Sequence, residues 1–259
     1  MTKYLAFVRL GVLRALSERG ELYGRSLFAP MILGVFTALW RAVGESGMPS
    51  DAPPHRLVWY LAATEWITLS VPLVHTSVQE DVRRGDIAVQ LPRPVSYVGA
   101  VMSQALGLLL VRASVLGVVL YVCAIAFTGR LPPMAAIAYV VPFGLAAQAL
   151  LTSCFVLMGI LAFWLDEVTP LHWVWQKSMF VLGGLSLPLE IYPSWLVEIG
   201  SFTPFPWLLA GPATFMLKGP SADHATQLGW HLVFWFAVTL WSLQWLFSLA
   251  TRRLQVNGG

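Results

Sequence analysis

Two ionisable residues, Glu65 and Arg112, stand near the middle of long apolar runs. Charge inside a membrane is costly and is normally paired or turned toward water. Two readings follow. Glu65 and Arg112 form an intramembrane ion pair that fixes two helices, or Glu65 lies on a substrate path and attracts cations. A second constellation is the segment Gln79, Glu80, Asp81, Val82, Arg83, Arg84, Gly85 and Asp86, the densest run of charge in the chain. As a short rigid helix it offers a docking surface to a soluble partner; as a solvated loop it only sets topology. Trp59, Trp66, Trp173, Trp175 and Trp195 are open to the same division, between interfacial anchors and an aromatic route for a flat or cationic ligand.

Other chemistries lack their residues. A phosphate-cradling P-loop needs a Gly-rich turn followed by Lys and Ser or Thr, and Lys3, Lys177 and Lys218 all lack that context. Any ATP hydrolysis linked to this chain therefore belongs to another polypeptide, and the chain itself is not expected to be an enzyme. His55, His75, His172, His224 and His231 form no His-Glu-x-x-His pair, so no metal site is expected. Cys123 and Cys154 lie in apolar stretches away from other ligand types and read as packing residues.

The elements that must carry these residues follow from composition. Hydrophobic residues make up 57% of 259 positions and charged residues 11%, where a soluble domain carries about 25% charge. The mean hydropathy is +0.69. The expected fold is all-α and integral to the membrane, in one domain over 1–259. Six apolar runs read as spans: 27–44, 57–74, 98–127, 134–165, 171–189 and 228–250. With the N-terminus inside, Lys3, Arg9, Arg14, Arg19, Arg25, Arg83, Arg84, Arg93, Lys177, Arg252 and Arg253 fall on the inner side. Arg41, Arg56, Arg130 and Lys218 fall on the outer side. That bias predicts cytoplasmic termini.

Residues 1–26 read as an amphipathic helix along the inner leaflet, with Lys3, Arg14, Glu18, Glu21 and Arg25 on one face and Tyr4, Val8, Val12 and Ala15 on another. The bundle then occupies 27–251, with 252–259 as a cytoplasmic tail. Gln79 to Arg84 is predicted to be a short helix stopped by Gly85, with Pro92 and Pro94 preventing continuation into the next span. After the fifth run, Pro188, Pro193, Pro204, Pro206 and Pro212 interrupt an apolar stretch. Broken half-helices dipping into the outer leaflet, a re-entrant pair between spans five and six, fit this stretch.

Three stretches carry a family resemblance. The first is Val78 to Ala88 together with Leu91, Pro92, Arg93 and Pro94. The second is Phe163-Trp164-Leu165-Asp166-Glu167-Val168 with Trp173 to Lys177. The third is Gly183-Gly184-Leu185-Ser186-Leu187-Pro188-Leu189-Glu190-Ile191-Tyr192-Pro193-Ser194-Trp195-Leu196. In order and spacing the chain resembles the permeases of the ABC type 2 (ABC-2) exporter family.

The resemblance implies that Gln79 to Asp86 is a coupling helix for a dimer of ATP-binding cassette ATPases, which would carry the ATP and Mg. This chain would bind no cofactor. A second permease chain, different more often than identical, would complete the pore. No nucleic acid is expected as a partner. By the same resemblance, Glu65, Trp66, Ser178 and Met179, on the second and fifth helices, are the candidates for an alternating-access path in a bacterial cytoplasmic membrane. The competing class is an ion-gradient-driven secondary transporter using Glu65. Against it stand the missing inverted repeat and the lack of further buried acids.

Overall fold

A computed structural model describes residues 2–45, 53–90 and 94–257. Leu91, Pro92 and Arg93, quoted above, lie outside the described residues. Every regular element among those described is helical. In chain order they are α1 (Thr2–Ser17), α2 (Arg19–Glu45), α3 (Pro54–Ser70), α4 (Val74–Arg84), α5 (Asp86–Gln90), α6 (Tyr97–Thr128), α7 (Met134–Ile160), α8 (Thr169–Leu182), α9 (Ser194–Ser201), α10 (Phe205–Leu208), α11 (Ala210–Lys218) and α12 (Ala222–Asn257).

Among the described residues, five stretches are long and apolar enough to cross a membrane: 19–42, 54–84, 97–128, 134–163 and 222–252. The fifth apolar run behaves differently. It forms only the 14-residue α8, about 21 Å at 1.5 Å per residue, against a hydrocarbon thickness of about 30 Å. The helix ends at Gly183, and Gly184 adopts a φ of 69°. The prolines that follow break the chain into a 3-10 turn at Leu189–Ile191 and the short α9, α10 and α11.

The centre of the bundle is α3. Its residues Leu57 to Ala63 are all buried, as expected of a helix enclosed on every side, and α2, α6, α7 and α11 surround it. Val71 turns extended and Pro72 follows, so α3 stops before the charged segment begins. At the next loop Gly129, at φ 63°, terminates α6. By contrast α2 and α12 are peripheral, and α12 leaves Trp230, Val233, Phe234, Trp241 and Trp245 exposed.

The N-terminal segment departs from the predicted single helix over 1–26. The helix breaks at Glu18, and residues 19–26 belong to the first spanning helix. The face expected to meet lipid through Val8, Val12 and Ala15 meets α6 instead. Both helices run in the same sense, with Tyr4 against Gly99, Gly11 against Gln104 and Val8 against Gly107. A Cβ at Gly11 would stand 2.0 Å from the Gln104 carbonyl oxygen, and one at Gly107 2.1 Å from that of Val8. The two backbones touch, which is how small residues join helices in a membrane.

Gly107→Ala is expected to push α1 from α6 at a cost of about 1–3 kcal/mol. The readouts are a lower melting temperature in detergent and faster tryptic cleavage after the exposed Arg14. Gly20→Ala, whose Cβ would meet nothing within 4 Å, is expected to leave both unchanged.

Candidate functional site

The charged segment lies on α4, which is longer than predicted and divides into two faces. His75, Val78 and Gln79, at positions i, i+3 and i+4, are buried against the bundle, while Glu80, Arg83 and Arg84 are exposed. Gly85, at φ 76°, ends the helix as expected, its N–H bonded to the Val82 carbonyl at 3.2 Å. Arg83 and Arg84 lie in the last turn, where cations offset the helix dipole. The Glu80–Arg84 pair, 3.2 Å apart with both side chains more than 60% exposed, contributes little stability.

Within the predicted segment, Gln79 is turned inward and Val82 is half-buried. Asp81 accepts a 2.7 Å hydrogen bond from the Tyr97 hydroxyl at the start of α6. The exposed charged surface is therefore Glu80, Arg83, Arg84 and Asp86, with Gly85 among them.

The inward face of α4 reaches two other helices. Against α7, a Cβ at Gly159 would come within 2.6 Å of the Val78 Cβ, so the helices meet without an intervening side chain. Toward α8, the Gln79 Oε1 accepts from the Val168 N–H at 2.8 Å. His75 stacks on His172 with centroids 4.2 Å apart and planes 18° apart, and both rings meet Phe155 edge-on. At its other end α8 is held by α3. The Tyr60 hydroxyl donates to the Gly184 carbonyl at 2.5 Å, and Thr64 Oγ1 to that of Leu185 at 2.7 Å. Of α8 itself only Met179 is buried. Sequence reading missed these anchoring residues. Their one signal was a matched four-residue spacing, His75 to Gln79 and Val168 to His172.

The expected Glu65–Arg112 pair does not form. Arg112 pairs with Glu21, and Glu21 also binds Arg25 at 2.8 Å. Arg25 in turn donates to the carbonyls of Leu69 and Val71 at the end of α3. The Arg112 side chain thus reaches a network at the C-terminal end of α3. Helices α3 and α6 do meet close to Glu65 and Arg112, Trp66 donating to the Ala113 carbonyl at 2.8 Å, but it is Trp66 and not Glu65 that α3 turns toward α6 there. Glu65 precedes Ser70, the last residue of α3, by five positions, roughly 7 Å along the helix. It is 5% exposed and makes no ion pair among the described residues. Beside the network, a polar cavity of about 510 Å³ lies between α1, the α3–α4 elbow and α6, lined by Arg14, Glu18, Glu21, Asp81, Gln104 and Arg112 among others.

The candidate path residues are not gathered. Trp66 seats its ring between Gly117 and Gly144, donates to the Ala113 carbonyl at 2.8 Å, and lines an apolar cavity of about 550 Å³ between α3, α6, α7 and α11. Glu65, Ser178 and Met179 do not line that cavity. Ser178 Oγ donates to its own helix at Val174, and Met179 is packed in the core. The five tryptophans divide likewise. Trp59 and Trp66 face the apolar cavity, Trp175 packs edge-on to Phe205, and Trp173 and Trp195 are exposed. They do not form one route. Among the described residues, no three His, Cys, Asp or Glu side chains gather as a metal site would require.

A family model described as "ABC-2 family transporter protein" matches residues 66–258, most of the chain. Among curated proteins none matches it.

Arg112→Gln is expected to lower the melting temperature. A double-mutant cycle with Glu21→Gln should return a coupling of about 0.5–3 kcal/mol, the range for residues in contact. The cycle of Arg112→Gln with Glu65→Gln should return additive effects.

Proposed function

The chain belongs to the ABC-2 family of transporter membrane proteins, and from that premise we propose that it is the permease subunit of an ATP-driven exporter. The observation that carries the reading is α4. Its exposed charges, Glu80, Arg83, Arg84 and Asp86, stand on a helix whose opposite face is built into the bundle. A loop that only set topology would need no such anchorage. ATP and Mg²⁺ would be bound and used by a separate dimer of ATP-binding cassette subunits. This chain would be no enzyme and would hold no cofactor.

The six-span reading takes α8 and the turns after it as the fifth crossing. In its support, Val168 at the start of α8 meets Gln79 of α4. Gly184 just past its end meets Tyr60, near the middle of α3. Farther along, the Leu217 carbonyl accepts from Arg56 at the first turn of α3. The chain thus travels from the α4 end of the bundle to the other end, with α9, α10 and α11 as the broken outer segment. An even number of crossings agrees with the charge bias, with both termini cytoplasmic and the protein in a bacterial cytoplasmic membrane.

The exposed apolar side of α8, Trp173, Val174, Phe180 and Val181, is where a second permease chain would pack, and we favour a different chain over an identical one. Substrate would pass by alternating access along that face and α3. Ser178 and Lys177 are nearer that path than Trp66, whose ring is enclosed by α6 and α7.

Gentle purification of the tagged chain should recover an ATPase with a P-loop. Single reversals Glu80→Lys and Arg84→Glu should each reduce its recovery several-fold, while Asp223→Lys at the start of α12 should not. A chain that purifies without an ATPase, yet moves substrate on an ion gradient and stops on Glu65→Gln, would be a secondary transporter instead.

A further inference from the structure

We propose that the paired contacts Gln79–Val168 and His75–His172 are the link through which movement of the exposed end of α4 displaces α8. The inference rests on the reading of the chain as a permease driven by a separate ATPase, and extends it by naming positioning residues.

The two contacts are in register. Gln79 and His75 are one turn apart on α4, and Val168 and His172 are one turn apart at the start of α8. Residues four apart share a helix face. One contact would let α8 pivot about a point, whereas two contacts a turn apart hold both its position and its direction. The two are also chemically distinct. Gln79 satisfies the N–H of fully buried Val168, at a helix start where backbone donors lack intrahelical partners. The imidazole stack is closed by the edge of Phe155.

In addition, α4 has little freedom to move elsewhere. At Gly159 the α7 backbone lies directly against Val78 and His75, so displacement into α7 is blocked by close-packed atoms. Helix α8 itself is short and half of its residues are exposed, and its far end is held where Tyr60 and Thr64 bind the carbonyls of Gly184 and Leu185. Gly184, at φ 69°, allows a sharp change of chain direction there. A rod driven at the inner end and pivoted at the outer end tilts. The face that tilts carries Trp173, Val174 and Lys177, all exposed.

The test uses the chain purified with its ATPase, carrying Cys123→Ala and a reporter Gln176→Cys on exposed α8, with Cys154 shielded by burial. The rate of maleimide labelling is compared with and without ATP. In the parent chain the rate should change several-fold on ATP addition. In Gln79→Ala with His172→Ala the ratio should fall to unity while the ATPase is still recovered. His172→Phe, which keeps an aromatic stack on His75, should retain the parent ratio. Gln79→Asn, which shortens the acceptor by one methylene and keeps the amide, should reduce the ratio without relying on the more disruptive double variant.

An unchanged ratio in the double variant or in Gln79→Asn, with ATPase bound, would overturn the link alone. So would a His172→Phe chain that behaves like the alanine variant. A parent chain recovered without any ATPase would overturn the permease reading and the link with it.

Discussion

A backbone carbonyl or N–H left free in hydrocarbon costs several kcal/mol, and several of the places where this chain breaks its helices answer that constraint. Where α3 stops, Arg25 takes the carbonyls of Leu69 and Val71. Where α6 stops, Arg41 takes that of Phe127. Beyond α8, Tyr60 and Thr64 take those of Gly184 and Leu185, and at its start Gln79 takes the Val168 N–H. At the end of α11, Arg56 takes the Leu217 carbonyl. Each partner comes from a distant part of the sequence, so each break also cross-links the bundle. Irregular backbone is tolerated at such depth only on these terms.

Close packing supplies the second tier. Apolar side chains gain little from leaving lipid for one another, so contact between helices depends on shape and on small residues. Glycine pairs bring α1 onto α6, Gly144 and Gly117 admit the Trp66 ring, and Gly159 admits Val78. The last of these gives α4 a fixed back wall while its other side stays charged and open. One helix is thereby both part of the bundle and part of the surface. That double character supports the proposal that it is the surface a separate ATPase would meet.

Electrostatics is concentrated in one network. Arg112 and Arg25 both bind Glu21, and Arg25 binds the C-terminal end of α3, joining α2, α3 and α6. A buried guanidinium needs such a partner because desolvation outweighs an incomplete pairing. Glu65, deeper and without an ion pair among the described residues, is left as the acidic group on the central helix whose role transport measurements can assign.

Membrane class, the positions of most long helices and the stop at Gly85 were legible in the residues, because apolar run length and glycine or proline chemistry act locally. The charged surface at Glu80 to Asp86 was legible for the same reason, although Gln79 turned out to face inward. The partner of Arg112 was not. Hydropathy ranks depth within one helix, whereas which of its residues faces a neighbouring helix depends on how the two are packed, and α3 turns Trp66 rather than Glu65 toward α6. The predicted fifth span was read as one apolar run, but Gly183 and Gly184 divide it, with the carbonyls of Gly184 and Leu185 captured by α3. The stacked histidines and the Gln79 anchor belong to no motif. Residues nearly a hundred positions apart meet there only because α4 folds back between α7 and α8. The sequence by itself determined what each segment is, since propensity and hydrophobicity are local. Tertiary structure alone decided which faces meet and which segments are tied together, since pairing energies arise only on contact.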